Sequence, residues 1–213
     1  MWRSDPATLF ISLGFEIREK YGYVNKFFID EKRNEFYKNI TVDSTLSRSL
    51  LSFFDSDCKL EYSRIKIFKT YNEALNCFGK FTTPVIPDEQ LKFDRNNFEI
   101  YLYRVKAADL SRLLQTIYFK DNNDKLSLSE TIEDNFVMVG YDVATFDAQY
   151  CHWNSELCNE GLDIKYIEGK YGKLNNNLLF DDLESAESFL KNLDYTDSDD
   201  GQTIIVQICS KKI

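Results

Sequence analysis

Alternating hydrophobic and polar residues predict several strands in this chain. Residues 98–105 alternate and are rich in aromatic and β-branched side chains, as expected for a strand with one solvent-facing side. Residues 135–143 are apolar over most of their length, which predicts a strand inside a sheet. We expect further strands at residues 10–17, 60–68 and 201–209.

Apolar residues recur at helical spacing in other segments. Leu110, Leu113 and Leu114 fall on one helical face, and the polar run after residue 120 ends the pattern. Near residue 180 a second apolar stripe follows two acids, and either Asp181 or Asp182 would cap that helix. The expected helices cover residues 24–37, 71–78 (ending at Gly79), 107–118 and 179–190.

The order of these elements predicts an α+β fold, with a mixed sheet backed by two to four helices. Several strands run directly into helices, so we expect some parallel pairing. The only closely spaced prolines, Pro84 and Pro87, indicate a joint in the chain. We therefore expect an N-terminal α+β lobe over residues 1–83 and an acidic C-terminal α+β lobe over residues 92–213, with one continuous domain as the alternative.

Charge is distributed unevenly along the 213 residues, whose formal net charge is −9. Residues 1–106 carry 17 basic and 15 acidic side chains, whereas residues 107–213 carry 9 basic and 20 acidic ones. The negative half should repel phosphate backbones, so we expect no nucleic-acid partner. The same field attracts basic proteins, although acidity also serves simple solubility in many cytosolic proteins.

The cysteines and the N-terminal segment bear on the cellular compartment of the protein. Five cysteines are present, an odd number, and no CxxC pair occurs. The first 22 residues lack the layout of a secretory signal, and no stretch approaches the ~20 apolar residues of a membrane span. We expect a cytoplasmic protein with reduced, mostly buried thiols and no membrane partner.

The single histidine limits the chemistry that the chain can support. One imidazole excludes zinc sites and hydrolases that need two. Cys151 and His152 are adjacent, and in a strand their side chains would point to opposite faces, so they do not form a nucleophilic pair with each other. His152 could serve another cysteine through the fold, but a structural histidine is the favoured interpretation. The spacing of Cys151, His152 and Cys158 is poor for a metal.

Two other segments resemble functional motifs, a metal-dependent nuclease site and a phosphate-binding loop, but neither match is specific. Glu168-Gly-Lys170 has the acid-x-lysine spacing of metal-dependent nucleases, but such pairs occur here about as often as chance predicts. A phosphate-binding loop requires other residues at the positions of Ile164 and Tyr171. Residues 168–173 are better interpreted as a turn or hairpin. We therefore expect no metal, no cofactor and no enzymatic activity.

The aromatic load is high, with 17 Phe, 13 Tyr and 2 Trp. Most of these rings belong in a core, but those that are exposed would suit an interface. One group lies among acids in the second half: Tyr141, Phe146, Tyr150, Trp153, Tyr166 and Tyr171.

Aromatic anchors surrounded by carboxylates would suit a partner rich in Lys and Arg. Acids near 142–168 would meet such a partner together with those near 181–200. The predicted partner-binding residues are Asp142, Asp147, Trp153, Glu156, Glu160, Asp163, Asp181, Asp182, Glu184 and Glu187.

One part of the chain resembles a known class of proteins. The segments 136–144 and 178–190, together with the last strand, are similar to the C-terminal portions of small bacterial immunity proteins. Such proteins neutralise the toxins of contact-dependent growth inhibition and related polymorphic toxin systems. The resemblance implies a cytosolic α+β protein that binds one cognate toxin and has no enzymatic role.

These observations predict an immunity-type inhibitor that binds and neutralises a cognate basic toxin domain, a nuclease. The alternative is a small cytosolic enzyme or metabolite-binding protein whose site pairs a cysteine with His152. A third interpretation is a structural subunit that self-associates through an aromatic face. The sequence does not predict an oligomeric state.

Overall fold

The fold is given by a computed structural model that describes part of the chain. The described residues are 9–19, 29–30, 35–36, 68–79, 98–115, 126–132, 135–147, 152–158, 163–193, 197–198 and 201–211.

Four α-helices and eight strands occur within the described residues. The helices are α1 (Tyr71–Gly79), α2 (Ala107–Leu113), α3 (Ile164–Lys170) and α4 (Leu183–Lys191), and a 3-10 turn covers Glu156–Cys158. The strands are β1 (Phe10–Glu19), β2 (Ile29–Asp30), β3 (Glu35–Phe36), β4 (Phe98–Lys106), β5 (Val137–Asp147), β6 (His152–Ser155), β7 (Asp197–Ser198) and β8 (Gly201–Lys211). The protein is therefore of the α+β class.

The main sheet has the strand order β1-β4-β8-β5-β6, and β7 adds a short pair to the start of β8. Every described pairing is antiparallel, so the expected parallel pairing is wrong. The reason is the position of β8. The connection through α2 leaves β4 and β5 running in the same direction, but β8 lies between them and runs the opposite way.

Strand β1 joins this sheet by pairing with β4, with Phe15 opposite Leu102. Its outer edge is also bonded. The Phe15 and Phe68 backbones exchange two hydrogen bonds of 2.8 Å, and the Ser12 amide donates to the Ser129 carbonyl at 2.8 Å. Residues from before and after the proline-containing segment therefore share one sheet.

The sheet buries both of its faces, because successive side chains in a strand point to opposite sides. On the first face Tyr101 and Val206 pack with Leu113 of α2. On the second face Ile205 packs with Phe189 of α4, and Leu102 packs with α1. The second face thus holds two separate apolar clusters, one beneath α3 and α4 and the other beneath α1.

Several predicted elements are confirmed within the described residues. Strands predicted at 10–17, 98–105, 135–143 and 201–209 and the helix ending at Gly79 are all present. The helix predicted at 107–118 begins as expected but ends early, at Leu113, and residues 116–118 lie outside the described part. The strand predicted at 60–68 is described only at Phe68.

Three predictions about elements are wrong in part. The helix predicted at 24–37 is replaced at Ile29–Asp30 and Glu35–Phe36 by a short antiparallel pair. The turn predicted at 168–173 is helical as far as Lys170. The last helix begins at Leu183 rather than 179, because the Phe180 backbone is extended and exchanges two hydrogen bonds with Tyr141.

No helix in the part of the chain that the structure describes has the length and apolar character needed to cross a membrane.

Candidate functional site

The N-terminal end of α4 presents a group of exposed acids. Ser185, Ala186 and Phe189 form the buried side of α4, and the acids on the other side of the helix and just before it face solvent. We call this group the α4 acidic surface. Its members are Asp181, Asp182, Glu184 and Glu187, all of which are exposed.

Two of these acids are held in place by hydrogen bonds. Asp182 caps α4, since its Oδ1 accepts from the Ser185 amide at 2.7 Å and its Oδ2 accepts from the Ser185 hydroxyl at 2.9 Å. Asp181 Oδ1 accepts from the Asn175 side-chain amide at 3.0 Å. Of the two candidate caps, the cap is therefore Asp182. Both carboxylates lie at the positive end of the helix dipole, so the interaction between charge and dipole is attractive.

Glu187 makes an ion pair with Lys106, at the end of β4. This cation offsets part of the negative charge on the solvent side of α4. The N-terminal end of the helix, with Asp181, Asp182 and Glu184, is therefore the more negative part of the surface.

Helix α3 lies beside α4 and carries a different surface. Asp163 caps α3 by accepting from the amides of Lys165 at 2.9 Å and Tyr166 at 3.2 Å. Lys165, Lys170 and Lys173 are exposed on or after the same helix, so positive charge dilutes the acidity here.

Tyr166 is the large exposed aromatic residue of this region, with 58% of its surface accessible. Lys170 Nζ lies 4.8 Å from the ring centroid of Tyr171 and donates a hydrogen bond of 3.1 Å to the Tyr166 hydroxyl. Hydrogen bonds to Tyr171 and Tyr166 raise the pKa of Lys170 above its usual value. Tyr171 also contacts the core, because its ring packs edge-on against that of the buried Phe189 with centroids 5.3 Å apart. Tyr166 is thereby connected to α4.

Two predicted partner-binding acids are buried. Asp142 is fully buried and accepts from the Ser155 hydroxyl at 2.7 Å. Glu156 is 4% exposed and accepts from the Thr145 hydroxyl at 2.8 Å. Burial with these partners links β5, β6 and the 3-10 turn, so neither carboxylate belongs to an exposed surface.

The remaining predicted residues are only partly described. Asp147 and Trp153 lie in β5 and β6, and their side chains are outside the description. Glu160 lies outside the described residues altogether. Of the ten predicted residues, the structure gathers the four of the α4 acidic surface and places Asp163 on the neighbouring helix.

Most of the predicted aromatic anchors for which a side chain is described belong to the core. Phe146 is fully buried, Tyr141 is 9% exposed and Tyr171 is half-buried. Tyr150 lies outside the described residues. Tyr166 is the exposed ring among them.

Cys209 is the thiol whose side chain the structure describes. It is fully buried in β8, and desolvation raises its pKa to about 11, against a smaller opposing effect of Arg104. A thiol in this state is protonated and inert at neutral pH. The side chain of His152 and those of Cys58, Cys77 and Cys158 lie outside the description, so the alternative of a pair between His152 and one of these thiols stays untested.

Within the described residues, no group of three or more His, Cys, Asp or Glu side chains is arranged to hold a metal ion.

A row of buried polar residues crosses the second face of the sheet. Ser12, Arg104, Gln207 and Tyr141 lie opposite one another on β1, β4, β8 and β5. Their exposures are 1%, 6%, 7% and 9%. Arg104 Nη1 donates to Gln207 Oε1 at 2.8 Å, and Gln207 Nε2 lies 3.3 Å from the Tyr141 hydroxyl. We call these four residues the polar row.

Arg104 connects the polar row to the chain around it. Its Nη2 donates to the carbonyls of Phe10 and Glu130, each at 2.6 Å. Burial lowers the pKa of Arg104, but a guanidinium remains charged at neutral pH. The sequence carries a signal for this site, because Ser12, Arg104 and Gln207 each lie between two apolar residues of a strand.

Comparison of this chain with protein-family models, with curated proteins and with solved structures finds no match.

Proposed function

We propose that the protein is an immunity-type inhibitor, which binds a basic toxin domain through the α4 acidic surface and so blocks its activity. The toxin domain would be a nuclease, because a nuclease needs a cationic groove for its phosphate substrate. The observation that carries the proposal is the cluster of exposed carboxylates at the N-terminal end of α4.

The α4 acidic surface has the properties that fast protein association requires. Charges of one sign on one surface steer a complementary partner and raise the association rate. The Asp182 and Asp181 carboxylates are already oriented by Ser185 and Asn175. Less side-chain freedom is therefore lost when a partner's Lys or Arg binds to them.

Tyr166 supplies an apolar anchor next to these charges. Its ring is exposed and is linked through Tyr171 to the helix that carries the acids. Tyrosines at interfaces combine a large apolar area with a polar hydroxyl, and they often contribute strongly to affinity. A cation of the partner would displace Lys170 from the Tyr171 ring and from the Tyr166 hydroxyl.

The proposal places the protein in the cytoplasm, where it would meet an incoming toxin domain before that domain reaches nucleic acid. The protein itself would bind neither nucleic acid nor membrane. The acidity of residues 107–213 supports the first of these statements.

Co-expression with the toxin tests the proposal. In the native host, a gene adjacent to this one should encode a protein with a basic C-terminal domain. We expect that domain to stop bacterial growth when expressed alone and to be harmless when this chain is co-expressed.

The fourfold variant Asp181→Asn, Asp182→Asn, Glu184→Gln, Glu187→Gln should lose most of the protection, because it removes the charge and keeps the polar groups. A matched control is Glu73→Gln, since Glu73 is also an exposed acid in the first turn of a helix. Full protection by the fourfold variant would contradict the proposal, as would the absence of any growth-inhibiting neighbour.

A further inference from the structure

Two neighbouring polar groups of the polar row, Ser12 Oγ and Arg104 Nε, have no hydrogen-bond partner among the described residues. Ser12 and Arg104 lie directly opposite each other on β1 and β4, so their side chains share one face of the sheet. Both are more than nine-tenths buried. Ser12 Oγ and Arg104 Nε make no hydrogen bond to any part of the chain that the structure describes. Buried polar groups in this state are rare and call for an explanation.

The positive charge of Arg104 also lacks a counterion among the described residues. The acceptors of its other nitrogens are neutral: the Gln207 side-chain carbonyl and the backbone carbonyls of Phe10 and Glu130. A buried charge without a counterion is strongly unfavourable. An occupant of negative charge would therefore stabilise the folded state more than a neutral one.

The chemistry of the two unpartnered groups points to the same occupant. The Nε of a guanidinium is only a donor, and a serine hydroxyl donates as readily as it accepts. The Ser12 backbone is already used, since its amide donates to Ser129 and its carbonyl accepts from Leu128. The pairing of β1 with β4 shifts register between Ser12 and Gly14, so the regular hydrogen-bond ladder is interrupted next to Ser12.

We propose that Ser12 Oγ and Arg104 Nε bind one small inorganic anion of the size of chloride. The ion would accept a hydrogen bond from each group and neutralise the guanidinium charge. A compact ion fits better than a metabolite, because so little of either side chain reaches the surface. A buried water molecule would satisfy the two hydrogen bonds but not the charge. This site is independent of the α4 acidic surface.

Chloride itself is the probe for the test. We expect the ³⁵Cl nuclear resonance line to broaden when the full chain is added and to sharpen again when bromide competes. At constant ionic strength, replacing fluoride by chloride should raise the Tm by about 2 °C or more, because a ligand of the folded state stabilises it. General salting-out acts in the opposite order, with fluoride the more stabilising ion.

Variants assign the effect to the site. Ser12→Ala should reduce the broadening several-fold without unfolding the protein, and Arg104→Lys should reduce it while keeping a positive charge. The control is Ser129→Ala, whose hydroxyl lies 3.0 Å from that of Thr131, and it should leave the broadening unchanged. Equal broadening by wild type and Ser12→Ala would overturn the proposal. Equal Tm values in fluoride and chloride would overturn it as well and would indicate a resident water.

Discussion

At the scale of single residues, Gly140 is a position where the sheet tolerates no side chain. A Cβ atom there would lie 2.7 Å from the Leu179 Cβ and 2.8 Å from the Phe180 carbonyl oxygen, at a φ of 157°. Gly140→Ala must therefore displace the segment before α4 from β5. We expect the free energy of unfolding to fall by about 1–3 kcal/mol, measured by urea denaturation.

Gly169→Ala is the matched control for this change. Gly169 lies inside α3, and a Cβ atom there would meet nothing within 4 Å. Alanine has less backbone freedom to lose in a helix, so we expect a gain of about 0.5–1 kcal/mol. If both variants unfold at the same urea concentration, the close packing described for Gly140 is wrong.

Cys209 should make the free energy of unfolding fall with rising pH in the alkaline range. Its pKa is raised from 9.0 to about 11 in the folded state. Between those values the unfolded chain releases the thiol proton while the folded chain keeps it. The contribution of Cys209 to stability is therefore complete below about pH 9 and is lost as the pH rises towards 11.

Labelling with a thiol reagent, followed by mass spectrometry, checks this state of Cys209 directly. At pH 7.5 we expect the folded protein to leave Cys209 unmodified over hours and the urea-unfolded protein to react at once. Rapid labelling of Cys209 in the folded protein would contradict its burial and would favour a reactive-cysteine function.

The polar row shows where prediction at the residue scale stops. In the sequence, Arg104 and Gln207 each stand out as a polar residue between two apolar neighbours. Their contact joins residues 103 positions apart, and it depends on which strands become neighbours. No local pattern contains that information, so the sequence does not predict that these residues form one site.

At the scale of secondary-structure elements, Asp182 both stabilises α4 as its N-cap and contributes negative charge to the α4 acidic surface. Asp182→Ala removes the hydrogen bonds to Ser185, and we expect a loss of about 1 kcal/mol in the free energy of unfolding. Asp182→Asn keeps an acceptor oxygen and should stay within a few tenths of a kcal/mol of wild type. Chemical denaturation followed by circular dichroism distinguishes the two variants, and equal losses would show that the cap contributes little.

Elements were predictable where one period dominated a long segment. Strand β4 follows the period of a strand over nine residues, and β8 contains the β-branched run Ile204–Val206 followed by Ile208, so the sequence predicts both with nearly correct bounds. The helix predicted at 24–37 relied on three phenylalanines, and aromatic residues suit strands equally well. The sequence places the start of α4 too early because Leu179 and Phe180 continue its apolar stripe, although Phe180 is bridged to Tyr141 of the sheet in an extended conformation.

At the scale of the whole molecule, the sequence predicted the α+β class and the acidity of the second half. It did not predict that β8 would lie between β4 and β5, since the neighbours of a strand are set by contacts between residues far apart in the sequence. It also did not separate exposed acids from buried ones. Asp142 and Glu156 look like surface carboxylates in the sequence, and the fold buries them beside hydroxyl groups.

The central claim is that the α4 acidic surface attracts a basic protein, and the association rate with the neighbouring toxin domain tests it most directly. In stopped-flow measurements we expect the wild-type rate constant to fall about tenfold or more as the salt concentration rises from ~0.02 to ~0.5 M. Glu184→Gln should lower the rate at low salt and flatten this dependence, whereas Glu73→Gln should behave as wild type. A rate that stays constant over the whole salt range, or that Glu73→Gln lowers as much as Glu184→Gln, would contradict the account.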